Sequence, residues 1–135
     1  MSELRDIKNN AVSGVSIKPG VSAGATGAWV DMGLSDGEVS GILSLGDATG
    51  TPTTTAMTVK LREADDSSGT GAADITGATA TLAAAATANN NTVTIITTGI
   101  RSKRYVNMVT TVTHVAGTSP TQPHSAIIVG QKKKL

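Results

Sequence analysis

Short runs of alternating apolar and polar residues recur along most of the chain, separated by residues that favour turns. In the clearest run, Met57, Val59 and Leu61 occupy one face of a predicted strand, and mostly polar side chains occupy the other. The run 105–115 alternates in the same way, whereas 126–129 is apolar throughout. Alternation predicts strands buried on one face, and the continuous run predicts a central strand covered on both faces.

Turn signals divide the chain into about eight such runs, and helical patterning is confined to residues 2–10. This organisation predicts an all-β fold, a single β-sandwich or jelly-roll-like domain of about eight strands with an N-terminal arm. We assign residues 1–13 to the arm, 14–131 to the β-sandwich domain and 132–135 to a basic C-terminal tail.

The composition predicts a core with few aromatic side chains. Hydrophobic residues make up 39% of the 135 residues, but the chain has no Phe, one Trp and one Tyr. Because aromatic side chains normally supply much of the buried apolar area, burial here must come from Val, Ile, Leu and Met. We therefore expect a modestly stable monomer that gains stability by binding neighbours.

Charge and cysteine content narrow the classes of partner. Eleven Lys and Arg against ten Asp and Glu leave a net charge of +1, which predicts no nucleic-acid partner. The absence of cysteine excludes disulfides and thiolate metal sites. No apolar run approaches the ~20 residues of a membrane helix, and the N-terminus lacks a signal-peptide pattern. We expect synthesis in the host cytoplasm and no membrane partner.

Candidate chemistry is sparse. Residues 33–37 match the G-x-S-x-G nucleophile elbow by letter, but a strand pattern follows where the elbow needs a helix, so a hairpin turn is favoured. His114 and His124 are the only histidines, and the aspartates at 65, 66 and 74 lack EF-hand spacing. The sequence predicts no enzymatic activity, no catalytic or metal-binding residue and no cofactor.

Two groups of residues are candidate contacts with a capsid or with another subunit. Leu4 and Ile7 are apolar side chains of the arm. The arm could bury them against the capsid or a sister subunit, or it could add a strand to the neighbour. Arg101, Lys103 and Arg104 form a compact cluster, here named the basic corner, which suits salt bridges to an acidic partner surface.

From about Thr55 onward the sequence resembles the capsid decoration (cement, or head-stabilisation) proteins of tailed bacteriophages. The similar stretches are 58–66, 75–78, 92–95, 101–113, 117–120 and 126–130. This resemblance implies a β-rich, homotrimeric protein bound to the major capsid protein on the outer surface of the virion. It implies a structural role that stabilises the mature head, and the family has no catalytic residues to transfer.

Two alternatives share this composition. The first is another virion part, such as a phage tail, connector or fibre module, which would differ mainly in the symmetry of its oligomer. The second is a carbohydrate-binding β-sandwich, which normally presents aromatic rings to sugar faces. Only Trp29 and Tyr105 are available for that purpose.

Overall fold

A computed structural model describes residues 7–85 and 94–134, and in them the chain forms two antiparallel sheets. The elements of these described residues are α1 (Ile7–Asn10), β1 (Ala11–Val21), β2 (Ala25–Thr26), β3 (Val30–Asp31), β4 (Ser35–Leu45), β5 (Thr54–Ala64), β6 (Ala73–Ala85), β7 (Thr94–Ile100), β8 (Tyr105–Val115) and β9 (His124–Lys132). The predicted all-β sandwich is confirmed.

The two sheets have different strand orders, and both contain neighbours that are distant in sequence. Sheet A has the order β1-β9-β4-β7. Sheet B has the order β2-β8-β5-β6, and β3 also pairs with β8. Strand β1 pairs with β9 near the other end of the chain, so the first and last strands hold each other in sheet A.

The core lies between the sheets and is aliphatic, as the composition predicts. Alternation places one face of each long strand inward, and the buried side chains include Ile17, Val39, Leu43, Leu45 and Ile128 from sheet A and Met57, Val59, Leu61, Val106 and Met108 from sheet B. The period-two pattern therefore identified the inward face of β5 correctly.

Gly41 lies at a close approach of the two sheets. A Cβ at this position would lie 2.8 Å from Leu61 Cδ2 and would also meet the Met108 methyl group. The pairing of β4 is regular at Gly41, and its register shift lies between Ser35 and Val39. The glycine is needed because it leaves room for side chains of the opposite sheet.

One predicted feature of β9 is wrong. Strand β9 is central in sheet A, but Ile127 remains 40% exposed while Ala126 and Ile128 are buried. The sandwich has only two layers, so the outward side of a central strand has no covering layer among the described residues. The continuous apolar run therefore encodes one core face and one exposed apolar face.

Local boundaries also differ from those expected. Residues 35–37, part of the expected hairpin turn, begin β4, and the preceding β3 covers only Val30–Asp31. Strand β1 begins at Ala11, inside the segment assigned to the arm, and β9 ends at Lys132, the first residue of the assigned tail. Residues 65–72 form the loop between β5 and β6.

One end of the sandwich, here named the basic end, gathers segments that are far apart in sequence. Ala11 pairs with Gln131, Lys132 pairs with Ser35, and α1 lies beside β9. The turn at 101–104 is tied to the same end, because Arg101 hydrogen-bonds to Ser35. None of the helical structure in residues 7–85 and 94–134 has the length and apolarity to cross a membrane.

Candidate functional site

The basic corner is the turn that joins β7 to β8, and the carboxylate of Glu63 holds it in place. Glu63 is the penultimate residue of β5 and is 8% exposed. Its Oε2 accepts hydrogen bonds from the backbone N–H groups of Ser102 at 2.6 Å and Lys103 at 3.2 Å. Its Oε1 accepts the Ser102 hydroxyl at 2.7 Å. One side chain of sheet B therefore fixes a turn that begins in sheet A.

These hydrogen bonds determine the protonation of Glu63. Burial by itself raises the pKa of the carboxyl group, but the hydrogen bonds from Ser102 and the Lys103 N–H, with the Lys103 charge, outweigh burial and lower the pKa below its ordinary value of 4.5. The carboxylate is thus ionised at neutral pH, and charge-assisted hydrogen bonds hold the turn.

Arg101 fastens the turn to the start of β4. Its Nη2 donates to the Ser35 carbonyl oxygen at 2.7 Å and its Nε donates to the Ser35 hydroxyl at 3.2 Å, while Nη1 donates to the Lys103 carbonyl oxygen at 2.9 Å. Because its guanidinium donates hydrogen bonds to three oxygen atoms of the protein, Arg101 mainly stabilises the fold.

Lys103 joins the corner to the loop between β5 and β6. Its Nζ donates to Asp65 Oδ2 at 3.1 Å and to the Gly71 carbonyl oxygen. In the same loop, Asp66 Oδ1 accepts the N–H groups of Ser68 and Thr70, which forms a compact turn. The loop is thus held both internally and from the corner.

Arg104 is the most exposed cation of the corner. Its Nε and Nη2 donate to the two carboxylate oxygens of Asp31 at 2.9 and 2.7 Å, and its guanidinium carbon lies 5.5 Å from the centre of the Tyr105 ring. The Arg104 hydrogen bond, with a second from the Gly33 N–H, lowers the pKa of Asp31 to about 2. The Arg104 side chain is 60% exposed, so it remains open to a partner on its solvent side.

The three cations of the corner are balanced by three carboxylates from other elements. Asp31, Glu63 and Asp65 come from β3, β5 and the loop after β5, and each contacts the turn. The corner is therefore a rigid, charge-compensated feature. The exposed cluster Lys132–Lys134 differs, because no ion pair links it to a carboxylate within the described ranges.

The structure brings several of the predicted contact residues to the basic end. Arg101, Lys103 and Arg104 lie there with the three tail lysines, and the backbone of Ile7 begins α1 beside β9. Leu4 lies outside the described residues. The predicted contacts are thus grouped by the fold, and their role in binding stays a prediction.

The hydroxyl of Ser35, which the elbow motif singled out, is part of the internal structure. Ser35 is buried, and its Oγ donates to the Met32 carbonyl oxygen at 2.8 Å. His114 contacts the Thr55 hydroxyl through Nδ1 at 2.9 Å. In the described part of the chain, no group of three or more His, Cys, Asp or Glu side chains is arranged to hold a metal ion.

His124 is a buried member of a network that links the sheets. Its Nδ1 lies 2.8 Å from the Gln122 carbonyl oxygen, so Nδ1 carries the proton and donates it there. Its Nε2 then accepts the Thr110 hydroxyl at 3.0 Å, and Thr110 Oγ1 accepts the Ala25 N–H. Burial lowers the pKa of His124, although the Gln122 hydrogen bond partly opposes this.

Glu63 and Asp31 are the important residues that sequence reasoning missed at the corner. Glu63 stands 39 positions before Ser102, and Asp31 stands 73 positions before Arg104. A single sequence carries no signal for such long-range pairing, although Glu63 does interrupt the inward apolar series of β5.

No protein-family model and no curated protein matches this chain. Among solved structures, a chain of infectious bursal disease virus, Gx strain, is similar with 8% identity and a TM-score of 0.46, covering 93% of this chain and 33% of that chain. The EclA C-terminal domain, a sugar-binding protein, is similar with 17% identity and a TM-score of 0.44, covering 90% and 76%.

A subunit of Bacillus endospore appendages, which are disulfide-linked pili, is similar with 10% identity and a TM-score of 0.39, covering 92% of this chain and 84% of that chain. This chain spans only a third of the bursal disease virus chain. At such identities and TM-scores the similarities assign no function to this chain, and its fold rests on the strand pairing described above.

Proposed function

We propose that this chain is a non-enzymatic structural protein of a tailed-phage virion, which binds the outer surface of the capsid and stabilises the mature head. The observation that carries the proposal is the convergence of the N-terminal segment, the basic corner and the basic tail at one end of the sandwich. The resemblance to decoration proteins supplies the partner, which is the major capsid protein, and a homotrimeric form.

The corner gives this end a defined shape. Glu63, Arg101 and Lys103 hold the turn from three sides, so Arg104 is presented on a pre-ordered scaffold. A rigid contact loses little conformational entropy when it binds, which favours docking on a regular lattice. The three tail lysines, which form no ion pair with a carboxylate of residues 7–85 and 94–134, add positive charge next to it, which suits an acidic partner surface.

The aromatic side chains favour this proposal over sugar binding. Trp29 is partly covered by the loop between β5 and β6, because its Nε1 would lie 2.8 Å from a Cβ at Gly69. The Tyr105 ring has the Arg104 guanidinium over one face. The Tyr105 ring therefore already has a cation over one face that a sugar ring would use for stacking, and the Trp29 ring already lies against a loop of the protein.

The direct test is co-sedimentation of the purified protein with heads of the phage that encodes it, emptied of DNA and stripped of this protein. We expect saturable binding and an increase in the melting temperature of the heads. Deleting residues 2–10, or replacing Lys132–Lys134 with Ser, should weaken binding severalfold, and Arg104→Gln should do the same because it removes the exposed guanidinium.

Lys60→Gln is the matched control for Arg104→Gln. Lys60 is also a partly exposed cation that pairs with one aspartate, Asp74, but it lies in the middle of β5, away from the basic end. Its substitution should leave head binding unchanged. A monomer, or a ring of six that ignores heads, would contradict the proposal and favour a tail or connector module, and specific binding on a glycan array would favour the sugar-binding alternative.

A further inference from the structure

The outer face of sheet A carries an apolar row that crosses the whole sheet. Val15, Ile127, Ile42 and Ile96 pair directly with one another across β1, β9, β4 and β7. Val15 is 50% exposed, Ile127 is 40% exposed and Ile96 is 61% exposed. Ile42 is half-buried between them. These four large β-branched side chains form a line across the sheet, here named the aliphatic row.

The rows on either side of the aliphatic row carry mainly small hydroxyl side chains. On one side lie Ser13, Ser40 and Thr98, interrupted by Val129, and the Ser40 and Thr98 hydroxyls are 3.0 Å apart. On the other side Ser44 pairs with Ser125. Among the described residues, the aliphatic row and the row of Ser13 carry no charged side chain. The exposed Lys18 follows the inward-facing Ile17 in β1 and borders the row of Ser44 and Ser125, and Glu38 and Ile100 lie at the opposite rim.

The outer face of sheet B is different, which shows that the apolar face is a particular property of sheet A. Its central residues are polar or charged, such as Thr58, Thr111 and Lys60, and Lys60 and Arg62 pair with Asp74. Of the six large hydrophobic side chains that are exposed in the described ranges, four lie on the outer face of sheet A: Val15, Ile96, Ile100 and Ile127. Such clustering marks a contact surface.

We propose that the outer face of sheet A is a self-association surface, which packs against the same face of a second copy of this chain. A charged partner would lose hydration against the aliphatic row without compensation, so the partner face must be apolar at its centre. A two-fold axis that lies in the plane of the face, runs through its centre and points either along the aliphatic row or along the strands places the aliphatic row of one copy against that of the other. Hydroxyl rows then meet hydroxyl rows, and hydroxyls can both donate and accept hydrogen bonds.

The dimensions of the face predict the strength of this contact. Four strands about 4.8 Å apart and three rows about 7 Å apart give a footprint of ~400 Å², about half of the ~800 Å² per partner in a standard stable interface. The contact should therefore be weak in solution and populated only at high protein concentration. It goes beyond the proposed function and does not depend on it, since a closed trimer needs no two-fold contact.

The absence of cysteine from the chain makes the test specific. In Ile127→Cys the single thiol lies at the centre of the face, and in the control Thr111→Cys it lies at an exposed strand position on the opposite sheet. With a short bis-maleimide at ~0.1 mM protein, Ile127→Cys should form covalent dimers about tenfold faster than the control, because a docked partner raises the local thiol concentration.

Sedimentation velocity supplies a second readout that needs no cysteine. The sedimentation coefficient of the unmodified chain should rise with concentration over ~0.05–1 mM. Ile96→Lys should abolish this rise, and Thr58→Lys, on the outer face of sheet B, should not. Equal cross-linking rates in the two cysteine variants, or equal effects of the two lysine substitutions, would overturn the proposal whatever the outcome of head binding.

Discussion

Glu63→Ala should destabilise the fold far more than removal of an ordinary surface carboxylate. Glu63 is 8% exposed and accepts two backbone N–H groups and one hydroxyl group of the turn at 101–104. Its removal leaves these donors without their acceptor, and each unsatisfied buried donor costs about 1–3 kcal/mol. Water can reach part of this turn, since Ser102 is exposed, so we expect a total loss of about 2–3 kcal/mol.

Urea unfolding of the single domain, at protein concentrations too low for self-association, measures this loss. For a chain of this length, the loss corresponds to a drop in melting temperature of roughly 6–12 °C. The matched control is Asp47→Ala, because Asp47 is an exposed carboxylate in the loop between β4 and β5. Its substitution should change the free energy of unfolding by less than about 0.5 kcal/mol.

The pH dependence of the free energy of unfolding independently checks whether the ionised Glu63 carboxylate causes this stabilisation. The pKa of Glu63 is lower in the folded protein than its ordinary value of 4.5, so its ionised form stabilises the fold. That stability is fully present above pH 4.5 and is lost as the pH falls through the folded pKa. The difference between wild type and Glu63→Ala should therefore shrink upon acidification. A loss no larger than that of Asp47→Ala, or one independent of pH, would refute this account of the turn.

Two further predictions concern the interior. Gly41→Ala should cost about 1–3 kcal/mol in urea unfolding because its methyl group would meet Met108 and Leu61, whereas Gly37→Ala, whose nearest side-chain contact would be 3.5 Å away, should be tolerated. Burial lowers the pKa of His124, so the unfolded chain binds a proton more readily than the folded one and stability should fall as the pH drops below 6.5. His124→Gln should remove this slope between pH 7.5 and 5.5, and His114→Gln should retain it.

The sequence predicted the long strands well because their faces depend on local alternation. The inward face of β5 follows directly from the positions of Met57, Val59 and Leu61. The error at Ile127 has a physical reason. A continuous apolar run is compatible with burial on both faces or with an exposed apolar face, and only the number of layers distinguishes the two.

The electrostatics of the corner could not be predicted in the same way. In the sequence, Arg101, Lys103 and Arg104 stand together with no acidic neighbour, which suggests a positive patch. The fold brings a carboxylate to the turn from each of three distant segments, and these neutralise it. Within residues 7–85 and 94–134, the positive charge at the basic end that no carboxylate pairs with therefore comes mainly from the tail lysines. Their sequence context gave no sign that they would lie beside the corner.

Capsid binding through the basic end and self-association through the outer face of sheet A are compatible for only one direction of the two-fold axis. An axis along the aliphatic row would point the two basic ends in opposite directions, whereas an axis along the strands would point both toward one surface. In the second case β1 faces β7 of its partner, so a mixture of Val15→Cys and Ile96→Cys chains should cross-link with each other more readily than Val15→Cys with itself. Preferential Val15→Cys self-cross-linking would establish the opposite orientation, and two copies joined in this way could not both place their basic ends on one capsid surface.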